Sequence, residues 1–482
     1  MGTTPAELDG IVQAAHTAQQ TAADATPEVR AGWLSAIADQ LDDAAEELVP
    51  LAREETHLPE QRLRGELART TFQLRLLGEE ITAGHQLEAT IDHADPDWGM
   101  GPRPDLRRVN VPLGVVGVFG ASNFPFAFSV MGGDSASALA AGCAVVHKIH
   151  EAHQRLGERT AELVRTALAG ASAPTDLFAA ITGQDAGGAL VDHPLVRAIG
   201  FTGSTRVGTL LSERAAARPE PIPFYGELGS TNPVFVTPAA WSARAEEILT
   251  GYAGSLTLGM GQFCTKPGLL FVPEFDQAAQ ERLEQALATA PQFEMLSPRL
   301  AEGYADAVRS VAAAPGVHTL VDGAAGLAPA PTVLSTDAET VRAKPELLST
   351  EMFGPAGLVI HYRNEDELPE LARLLEGQLT ATVHAEPDDQ TGALVHLLTT
   401  KAGRVLWNGW PTGVTVSYAQ QHGGPFPATT AATTTSVGTA AVRRFLRPVA
   451  FQDFPGQALP PALREDNPWG IARRVDGQWE YR

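Results

Sequence analysis

The sequence has few cysteines, few basic residues and no long apolar runs. Its 482 residues include only two cysteines, Cys143 and Cys264, in very different contexts. A disulfide framework is therefore implausible, and a reducing compartment such as the cytosol is expected. No apolar run reaches about 18 residues, and the N-terminus lacks the basic-then-apolar pattern of a signal peptide. We therefore expect a soluble, cytoplasmic protein without a membrane partner.

Basic residues are outnumbered: 35 lysines and arginines stand against 57 aspartates and glutamates, a net charge of −22. Such an acidic chain repels nucleic-acid phosphates and anionic lipids, so nucleic-acid binding is disfavoured. Any anionic cofactor has to be held by local donors. The chain also lacks fixed-period repeats and low-complexity tracts.

The N-terminal quarter of the chain reads as helical. Thr4 and Thr26 each precede a proline, which is the pattern of a capped helix start. Apolar residues then recur at three-to-four spacing up to about residue 90. Residues 1–90 are therefore predicted to form helices.

From residue 114 onward, short β-branched runs alternate with helical segments, as in GVVGVFG, SASALAAG and AVVHKIH. This alternation predicts an α/β fold with a doubly wound, Rossmann-type sheet, which binds nucleotides at the carboxyl ends of its strands. A second α/β unit and an irregular tail follow. We predict a cofactor-binding domain, a catalytic domain and an oligomerisation or bridging unit, formed respectively by 1–91 with 114–227, by 228–425, and by 92–113 with 426–482.

Cys264 stands out because it lies in a glycine-rich loop, GMGQFCTKPG, rather than in an apolar element. Cys143, within ASALAAGCAVV, fits the packing role that free cysteines usually have. Glu227 lies in FYGELGSTNP, at the end of a predicted strand near the border of the two α/β units. A thiol and a carboxylate in an interdomain cleft form a candidate catalytic pair.

A phosphate-binding turn is predicted at residues 201–208, FTGSTRVG, although the usual GxGxxG fingerprint is absent. A strand ends near Gly203 and a helix begins with Ser204, so free amides and the positive helix end could receive a pyrophosphate. A helix that is merely capped would have the same local pattern.

Together these dispersed motifs resemble the aldehyde dehydrogenase superfamily, from about residue 20 to the C-terminus. The matching positions are Asn123 in GASNFPF, Lys148 and Glu151 in Lys-x-x-Glu, Gly203 and Ser204 in Phe-Thr-Gly-Ser, Glu227 in Glu-Leu-Gly, Cys264 in Gly-Gln-x-Cys, and Glu351 and Phe353 in Glu-x-Phe-Gly-Pro. Within the superfamily, GELGSTNPVFV and HGGPFPATT are most similar to the 2,5-dioxopentanoate (α-ketoglutarate semialdehyde) dehydrogenases and to bacterial fatty-aldehyde dehydrogenases.

The resemblance implies NAD(P)-dependent oxidation of an aldehyde to a carboxylic acid. Cys264 would add to the aldehyde to give a thiohemiacetal, whose oxyanion the Asn123 amide and the Cys264 N–H would stabilise. Hydride loss would leave a thioester, and Glu227 would activate the water that hydrolyses it.

The same resemblance assigns cofactor contacts. Lys148 would reach the adenosine ribose, and Glu351 the nicotinamide ribose with Phe353 beside it. Glu151 departs from the proline or threonine that the dioxopentanoate and fatty-aldehyde dehydrogenases generally carry, and a carboxylate there would repel a 2′-phosphate. We therefore expect a preference for NAD, with NADP possible.

Several alternatives stay open. Phe124, Phe126 and Phe128 could line an apolar tunnel for a medium or long aldehyde, whereas 2,5-dioxopentanoate would want an arginine or amide near the mouth. A cysteine-dependent (thio)esterase could use Cys264 with Glu227, but it would normally want a histidine base.

Two further expectations concern metals and assembly. We expect no metal site from His147, His150 and His153, because their spacing gives no convergent ligand set. The resemblance implies a homodimer or homotetramer.

Overall fold

The computed structural model describes residues 2–481. Its helices are α1 Pro5–Thr21, α2 Pro27–Asp43, α3 Ala45–Thr56, α4 Glu60–Ala83, α5 Gly133–Ala141, α6 Gln154–Gly170, α7 Gln184–Asp192, α8 Thr205–Ala216, α9 Pro238–Thr257, α10 Gln277–Ala288, α11 Pro298–Ala312, α12 Ala338–Ala343, α13 Glu367–Leu374 and α14 Gly392–Leu398.

The strands are β1 Thr90–Asp92, β2 Leu106–Pro112, β3 Val115–Phe119, β4 Ala144–Lys148, β5 Phe178–Ile181, β6 Val196–Thr202, β7 Phe224–Glu227, β8 Pro233–Val236, β9 Leu269–Val272, β10 His318–Val321, β11 Thr332–Asp337, β12 Ala356–His361, β13 Gln378–His384, β14 Ala402–Trp407, β15 Leu446–Gln452, β16 Arg473–Val475 and β17 Gln478–Glu480.

The predicted N-terminal helices are confirmed, and local sequence explains where they start. The Thr4 hydroxyl accepts a hydrogen bond from the Glu7 amide at 3.3 Å, and Thr26 accepts one from Val29 at 3.3 Å. Each cap satisfies an amide that the first helical turn leaves free. The apolar faces of α1, α2, α3 and α4 then join the core beneath the first sheet.

The first sheet is parallel throughout, in the order β5-β4-β3-β6-β7. Every residue of β3 is buried, as expected for a strand covered by helices on both faces. Because parallel strands end at the same edge, Lys148, Thr202 and Glu227 all lie along one carboxyl edge. This doubly wound sheet confirms the predicted fold class.

The second sheet has seven strands in the order β10-β11-β12-β9-β8-β13-β14. Its pairs are parallel except for the edge strand β10, which runs antiparallel to β11. Apolar cores lie on both of its faces, which makes it a rigid support for the loops at its strand ends.

A third, mixed sheet is formed from segments far apart in the chain, in the order β15-β2-β1-β16-β17. Strand β2 comes from the predicted 92–113 excursion and pairs antiparallel with β15 of the tail. The stretch before β15 instead packs on the first sheet, where Thr429 bridges to Glu227 and Arg444 forms a buried ion pair with Asp134. Within residues 2–481, no helix is long and apolar enough to cross a bilayer.

Candidate active site

The loop that carries Cys264 is shaped by three consecutive residues in the left-handed region. Gly259, Met260 and Gly261 have φ angles of 58°, 59° and 64°. A Cβ on Gly261 would lie 2.2 Å from the carbonyl oxygen of Gly354, so only glycine allows this approach. The resulting turn directs Cys264 out of the core, where its side chain keeps partial exposure.

Two side-chain amides fix this loop from outside. The Asn232 amide donates to the carbonyl oxygens of Cys264 at 2.8 Å and Lys266 at 2.9 Å. The Gln262 side-chain oxygen accepts from the Leu296 amide at 3.0 Å. Because the Asn232 and Gln262 side chains are buried, they hold Cys264 through hydrogen bonds that do not compete with water.

His422 lies beside the Cys264 sulfur. Its Nε2 lies 3.5 Å from Cys264 Sγ, and its Nδ1 lies 4.0 Å from Glu227 Oε2. The histidine is buried, and its backbone amide donates to the Thr435 hydroxyl at 2.9 Å. The three side chains thus form a thiol–imidazole–carboxylate row.

Glu227 is the last residue of β7 and is enclosed by the stretch that precedes β15. The following amide, Leu228 N–H, donates to the Ala428 carbonyl at 2.8 Å, which closes that stretch over the carboxylate. Burial raises the pKa of Glu227 well above its usual range, against the attraction of Arg444. A carboxyl group with a raised pKa is suited to take up a proton near neutral pH.

The resting protonation states follow from burial. Desolvation, with the charges of Glu227 and Glu351, raises the pKa of Cys264 to about 12. Desolvation lowers the pKa of His422 to about 3, assisted by nearby arginines. The row therefore rests as a neutral thiol beside a neutral imidazole, and Cys264 needs a base when it attacks.

Asn123 lies against the same loop. Its side-chain amide donates to the Gln262 carbonyl at 3.0 Å, and its backbone carbonyl accepts from Arg62 Nη2 at 2.6 Å. Gln262, whose carbonyl holds this amide, stands one residue before Phe263 and two residues before Cys264 in the chain. This is the neighbourhood in which an oxyanion donor is needed.

The predicted phenylalanine tunnel is only partly present. Phe124 packs edge-on against Phe128 and against Phe263, with ring centroids 5.3 and 5.1 Å apart. The Phe128 ring also contacts His422 at 5.8 Å. Phe126 is 3% exposed and belongs to the hydrophobic core instead, because its ring is packed among buried apolar side chains.

The predicted cofactor residues lie along the carboxyl edge of the first sheet. Lys148 Nζ is 3.7 Å from Glu151 Oε1, and the Gln184 amide donates to Glu151 Oε2 at 3.5 Å. Gly203 and Ser204 are exposed at the start of α8. A Cβ on Gly203 would lie 2.7 Å from the Phe201 ring, so the turn requires glycine.

Glu351 reaches the same region from the second sheet. Its carboxylate packs on Gly229. A Cβ on Gly229 would lie 2.5 Å from Glu351 Oε2 and 2.9 Å from the hydroxyl of Thr205 at the start of α8. Burial raises the pKa of Glu351 to about 7, and the nearby Lys266 ammonium opposes the shift. Phe353 is half-buried two residues further on.

The three histidines considered for a metal have other partners. His147 and His153 are buried, and His153 Nε2 lies 2.9 Å from the Ala121 carbonyl. The His150 ring stacks on that of His153 and accepts from the Ala152 amide. Within residues 2–481, no group of three or more His, Cys, Asp or Glu side chains is arranged to hold a metal ion.

The structure thus brings Cys264, Glu227 and Asn123 close together and places Lys148, Gly203 and Ser204 along the carboxyl edge of the first sheet. His422 was missed, although HGGPFPATT had been noted as a distinctive segment, because a lone histidine 158 residues from the cysteine shows no local pattern. Its presence removes the argument that a cysteine hydrolase would lack a histidine base.

Comparison with known proteins decides the class. Residues 2–428 match the family model described as the aldehyde dehydrogenase family. The chain belongs to this family and is an oxidoreductase that acts on aldehydes, as the motifs predicted.

Two curated relatives cover nearly the whole chain. It is 47% identical to alpha-ketoglutaric semialdehyde dehydrogenase 2 of Azospirillum brasilense, over 94% of this chain and 87% of that protein. It is 42% identical to the alpha-ketoglutaric semialdehyde dehydrogenase of Acinetobacter baylyi, over 98% and 91%.

Two solved structures share the fold. A glyceraldehyde-3-phosphate dehydrogenase of Methanocaldococcus jannaschii, solved with NADP, has a TM-score of 0.79 at 20% identity, over 94% of this chain and 95% of that one. Aldehyde dehydrogenase C of Pseudomonas syringae, solved with NAD⁺ and octanal, has a TM-score of 0.78 at 22% identity, over 94% and 90%.

Proposed function

We propose that the protein oxidises 2,5-dioxopentanoate to 2-oxoglutarate with NAD or NADP as hydride acceptor. The observation that carries the chemistry is the row in which Cys264 Sγ lies 3.5 Å from His422 Nε2, with Glu227 on the far side of the imidazole. The substrate is supported by the two relatives at 47% and 42% identity, whose names specify this semialdehyde.

Proton transfer from Cys264 is the first task of the row. The thiol is protonated at neutral pH, and the neutral His422 ring can accept its proton as sulfur approaches the aldehyde carbon. Glu227, with its raised pKa, can receive that proton in turn and has to release it to solvent before the thioester is hydrolysed, so that its carboxylate is free to act again. The product of this step is a thiohemiacetal on Cys264.

The oxyanion of this adduct needs donors that are already in place. The Asn123 side-chain amide is held at the loop by the Gln262 carbonyl, and its second hydrogen can point to the oxyanion. The Cys264 backbone N–H is the other donor.

Glu227 has a second role after the hydride has left. The thioester on Cys264 must be attacked by water, and Glu227 is a buried carboxylate at the end of the same row. As a base it would remove a proton from that water, and its raised pKa makes it a stronger base than an ordinary carboxylate.

The edge of the first sheet fits a dinucleotide. When bound, the nicotinamide supplies a two-electron acceptor for the hydride. The exposed turn at Gly203 and Ser204 offers amides for the pyrophosphate, and Lys148 and Glu351 would hold the two riboses with Phe353 beside the second. We assign the preference for NAD to Glu151. Its carboxylate pairs with Lys148 and would repel the 2′-phosphate of NADP.

Arg155 strengthens this preference. Its guanidinium forms an ion pair with Glu54 at 2.6 Å, which leaves it less available to a 2′-phosphate.

A second candidate is a medium or long aliphatic aldehyde. It is favoured by the apolar cluster of Phe124, Phe128 and Phe263 beside the pocket. A third is hydrolysis of activated esters or thioesters, for which the Cys264, His422 and Glu227 row contains the needed groups.

The test is a substrate panel followed by the absorbance of the reduced nicotinamide. We expect 2,5-dioxopentanoate with NAD to give the highest kcat/KM among 2,5-dioxopentanoate, hexanal, dodecanal and benzaldehyde. A higher value for the aliphatic aldehydes would reject the proposed substrate. A higher value with NADP would reject the role assigned to Glu151.

Assembly and location belong to the same proposal. Exposed aromatic side chains near the third sheet, at Trp98, Trp479 and Tyr481, support a homodimer or homotetramer built through that sheet. Light scattering on the purified protein would give the number of subunits. Two unpaired cysteines support a cytoplasmic location.

A further inference from the structure

Three arginines surround the active-site pocket in a chain whose net charge is −22. Arg62 and Arg69 project from α4, and Arg404 from β14. Each carries buried guanidinium nitrogens without a hydrogen-bond partner among residues 2–481. Buried donors without partners are costly, so a cluster of them beside a reaction centre indicates a ligand that pairs with them.

Arg69 has the most donors free. Its Nε donates to the Val414 carbonyl at 3.1 Å, which fixes the plane of the guanidinium. Both Nη1 and Nη2 are buried, and neither has a hydrogen-bond partner in the described part of the chain. This leaves a free, oriented fork of the kind that binds a carboxylate through two parallel hydrogen bonds.

The position of Arg69 relative to the nucleophile follows from its contacts. Its guanidinium lies 5.3 Å from the centroid of the Phe128 ring, and that ring contacts His422, which lies next to Cys264. Arg69 is also close enough to Cys264 to attract the negative charge that develops on its sulfur. A short substrate can therefore place its aldehyde at Cys264 and its other end at Arg69.

Arg404 has a different task. Its Nη2 and Nη1 donate to the Pro411 and Gly413 carbonyls at 2.6 and 3.3 Å, so it holds the loop against which Arg69 is also fixed. Only its Nε is left without a partner among residues 2–481. It supports Arg69 and adds positive charge to the pocket.

Glu66 is the acidic neighbour on α4 and attracts Arg69 electrostatically, but its buried Oε2 has no hydrogen-bond partner among residues 2–481 and so makes none with Arg69. Its Oε1 accepts from the Phe126 and Ala127 amides at 2.8 and 3.0 Å. Arg62 donates to the Asn123 carbonyl and lies over the Phe124 ring. Neither side chain fills the free side of Arg69.

We propose that Arg69 binds the carboxylate at the far end of the substrate through Nη1 and Nη2, with Arg404 holding the loop that orients it. The substrate class is then an ω-aldehyde that carries a carboxylate a few carbons away. This inference rests on the proposed function and names the residue that would select its substrate.

The test compares two aldehydes that differ only in charge, 5-oxopentanoate and its methyl ester, together with 2,5-dioxopentanoate. In Arg69→Gln we expect kcat/KM for both carboxylates to fall by about 10- to 100-fold, the range for a hydrogen bond to a charged group. We expect the value for the ester to change less than threefold. 2-Oxoglutarate should also lose potency as an inhibitor of ester oxidation in this variant.

Arg75→Gln is the matched control on the same helix, since Arg75 forms only exposed ion pairs with Asp39 and Asp42. It should leave all three substrates unchanged. If Arg69→Gln does not fold, Arg69→Lys keeps the charge without the fork, and a smaller loss confined to the carboxylates is expected.

The outcomes separate the two proposals. A wild-type enzyme that prefers the carboxylates, with a variant that keeps the preference, would overturn the assignment of Arg69 and leave the proposed substrate standing. A wild-type enzyme that oxidises the ester as well as 5-oxopentanoate, and 2,5-dioxopentanoate poorly, would overturn the proposed substrate and this subsite together.

Discussion

The two cysteine thiols have similarly raised pKa values, but the groups that surround the two sulfur atoms are very different. Burial raises the pKa of Cys143 to about 11 and that of Cys264 to about 12. Cys143 is 1% exposed, and its thiol donates to the Phe445 carbonyl at 3.4 Å inside the core. Cys264 is partly exposed and faces His422. Accessibility and an adjacent base distinguish the two sites, since neither thiol is acidic at rest.

The largest expected contrast is between the two alanine variants. Cys264→Ala should lower the rate of aldehyde oxidation by about 10⁴-fold or more, because the covalent route is lost. Cys143→Ala should keep kcat within about twofold, since its neighbours are apolar side chains and a carbonyl. Steady-state kinetics of both variants tests this contrast. Near-equal losses of activity in the two variants would contradict different roles for the two cysteines.

Glu227→Gln should lower kcat by about 10³-fold, within the range for a general base. Hydrolysis of the thioester would become the slow step, because glutamine cannot take a proton from water. A burst of reduced nicotinamide followed by slow turnover is expected in stopped-flow traces. Glu220→Gln, which removes an exposed acid paired with Arg197, is the control. Loss of the burst itself would contradict hydrolysis of the thioester as the step that depends most on Glu227.

His422→Gln should lower kcat by about 10²-fold, a smaller effect because Glu227 and solvent can still accept the thiol proton. The loss should lie in the burst, since His422 contacts the sulfur and not the water site. His384→Gln is the matched control, because His384 is also buried but packs on Trp410, away from Cys264. Unchanged burst kinetics in His422→Gln would contradict the proton transfer.

Alkylation of the cysteines by iodoacetamide should depend on pH in a characteristic way. A thiol pKa of about 12 means that the thiolate fraction of Cys264 rises about tenfold for each pH unit between 7 and 10, without a plateau. Cys264 should react before Cys143 at every pH, because only Cys264 is accessible. Peptide mapping gives both rates. A plateau near pH 7 would indicate a thiolate–imidazolium pair at rest.

The smallest effect concerns stability. The folded-state pKa of Glu227 is raised, so the native protein binds more protons than the unfolded chain, and stability falls as pH rises from about 4.5 through that raised pKa. Glu227→Gln removes this cost and should be more stable at pH 8 by about 1–3 kcal/mol, with little difference at pH 4.5. Thermal unfolding at both pH values tests the sign of this stability difference. A variant less stable than the wild type at pH 8 would contradict the prediction.

Much of the first two sheets was predictable because their strands are short β-branched runs between helical segments. The caps at Thr4 and Thr26 and the turn at Gly203 are likewise local patterns. The third sheet was not predictable in the same way. Its strands β2 and β15 pair with each other although more than 300 residues separate them, and β15 is an edge strand whose neighbour in the sheet is β2.

The residues of the candidate site also divide into those that local sequence reveals and those that only the fold brings together. Cys264 and Glu227 were recognisable because each lies in a distinctive glycine-rich motif. His422, Arg69 and Arg404 have no such context, and their relevance depends on which helix and strand reach the pocket. Phe126 was misplaced because only the fold shows that its ring is packed among buried apolar side chains.

The amino-acid order alone settled the α/β class and the helix starts and singled out Cys264 as the candidate nucleophile, because those features depend on neighbours within a few residues. Folding alone decided that an imidazole stands beside the thiol and that an unpaired guanidinium faces the pocket. Such pairings join residues tens to hundreds of positions apart. Only the packing of α4 against the Cys264 loop, and of the loop after β14 against Arg69 and Arg404, brings them within reach of one substrate.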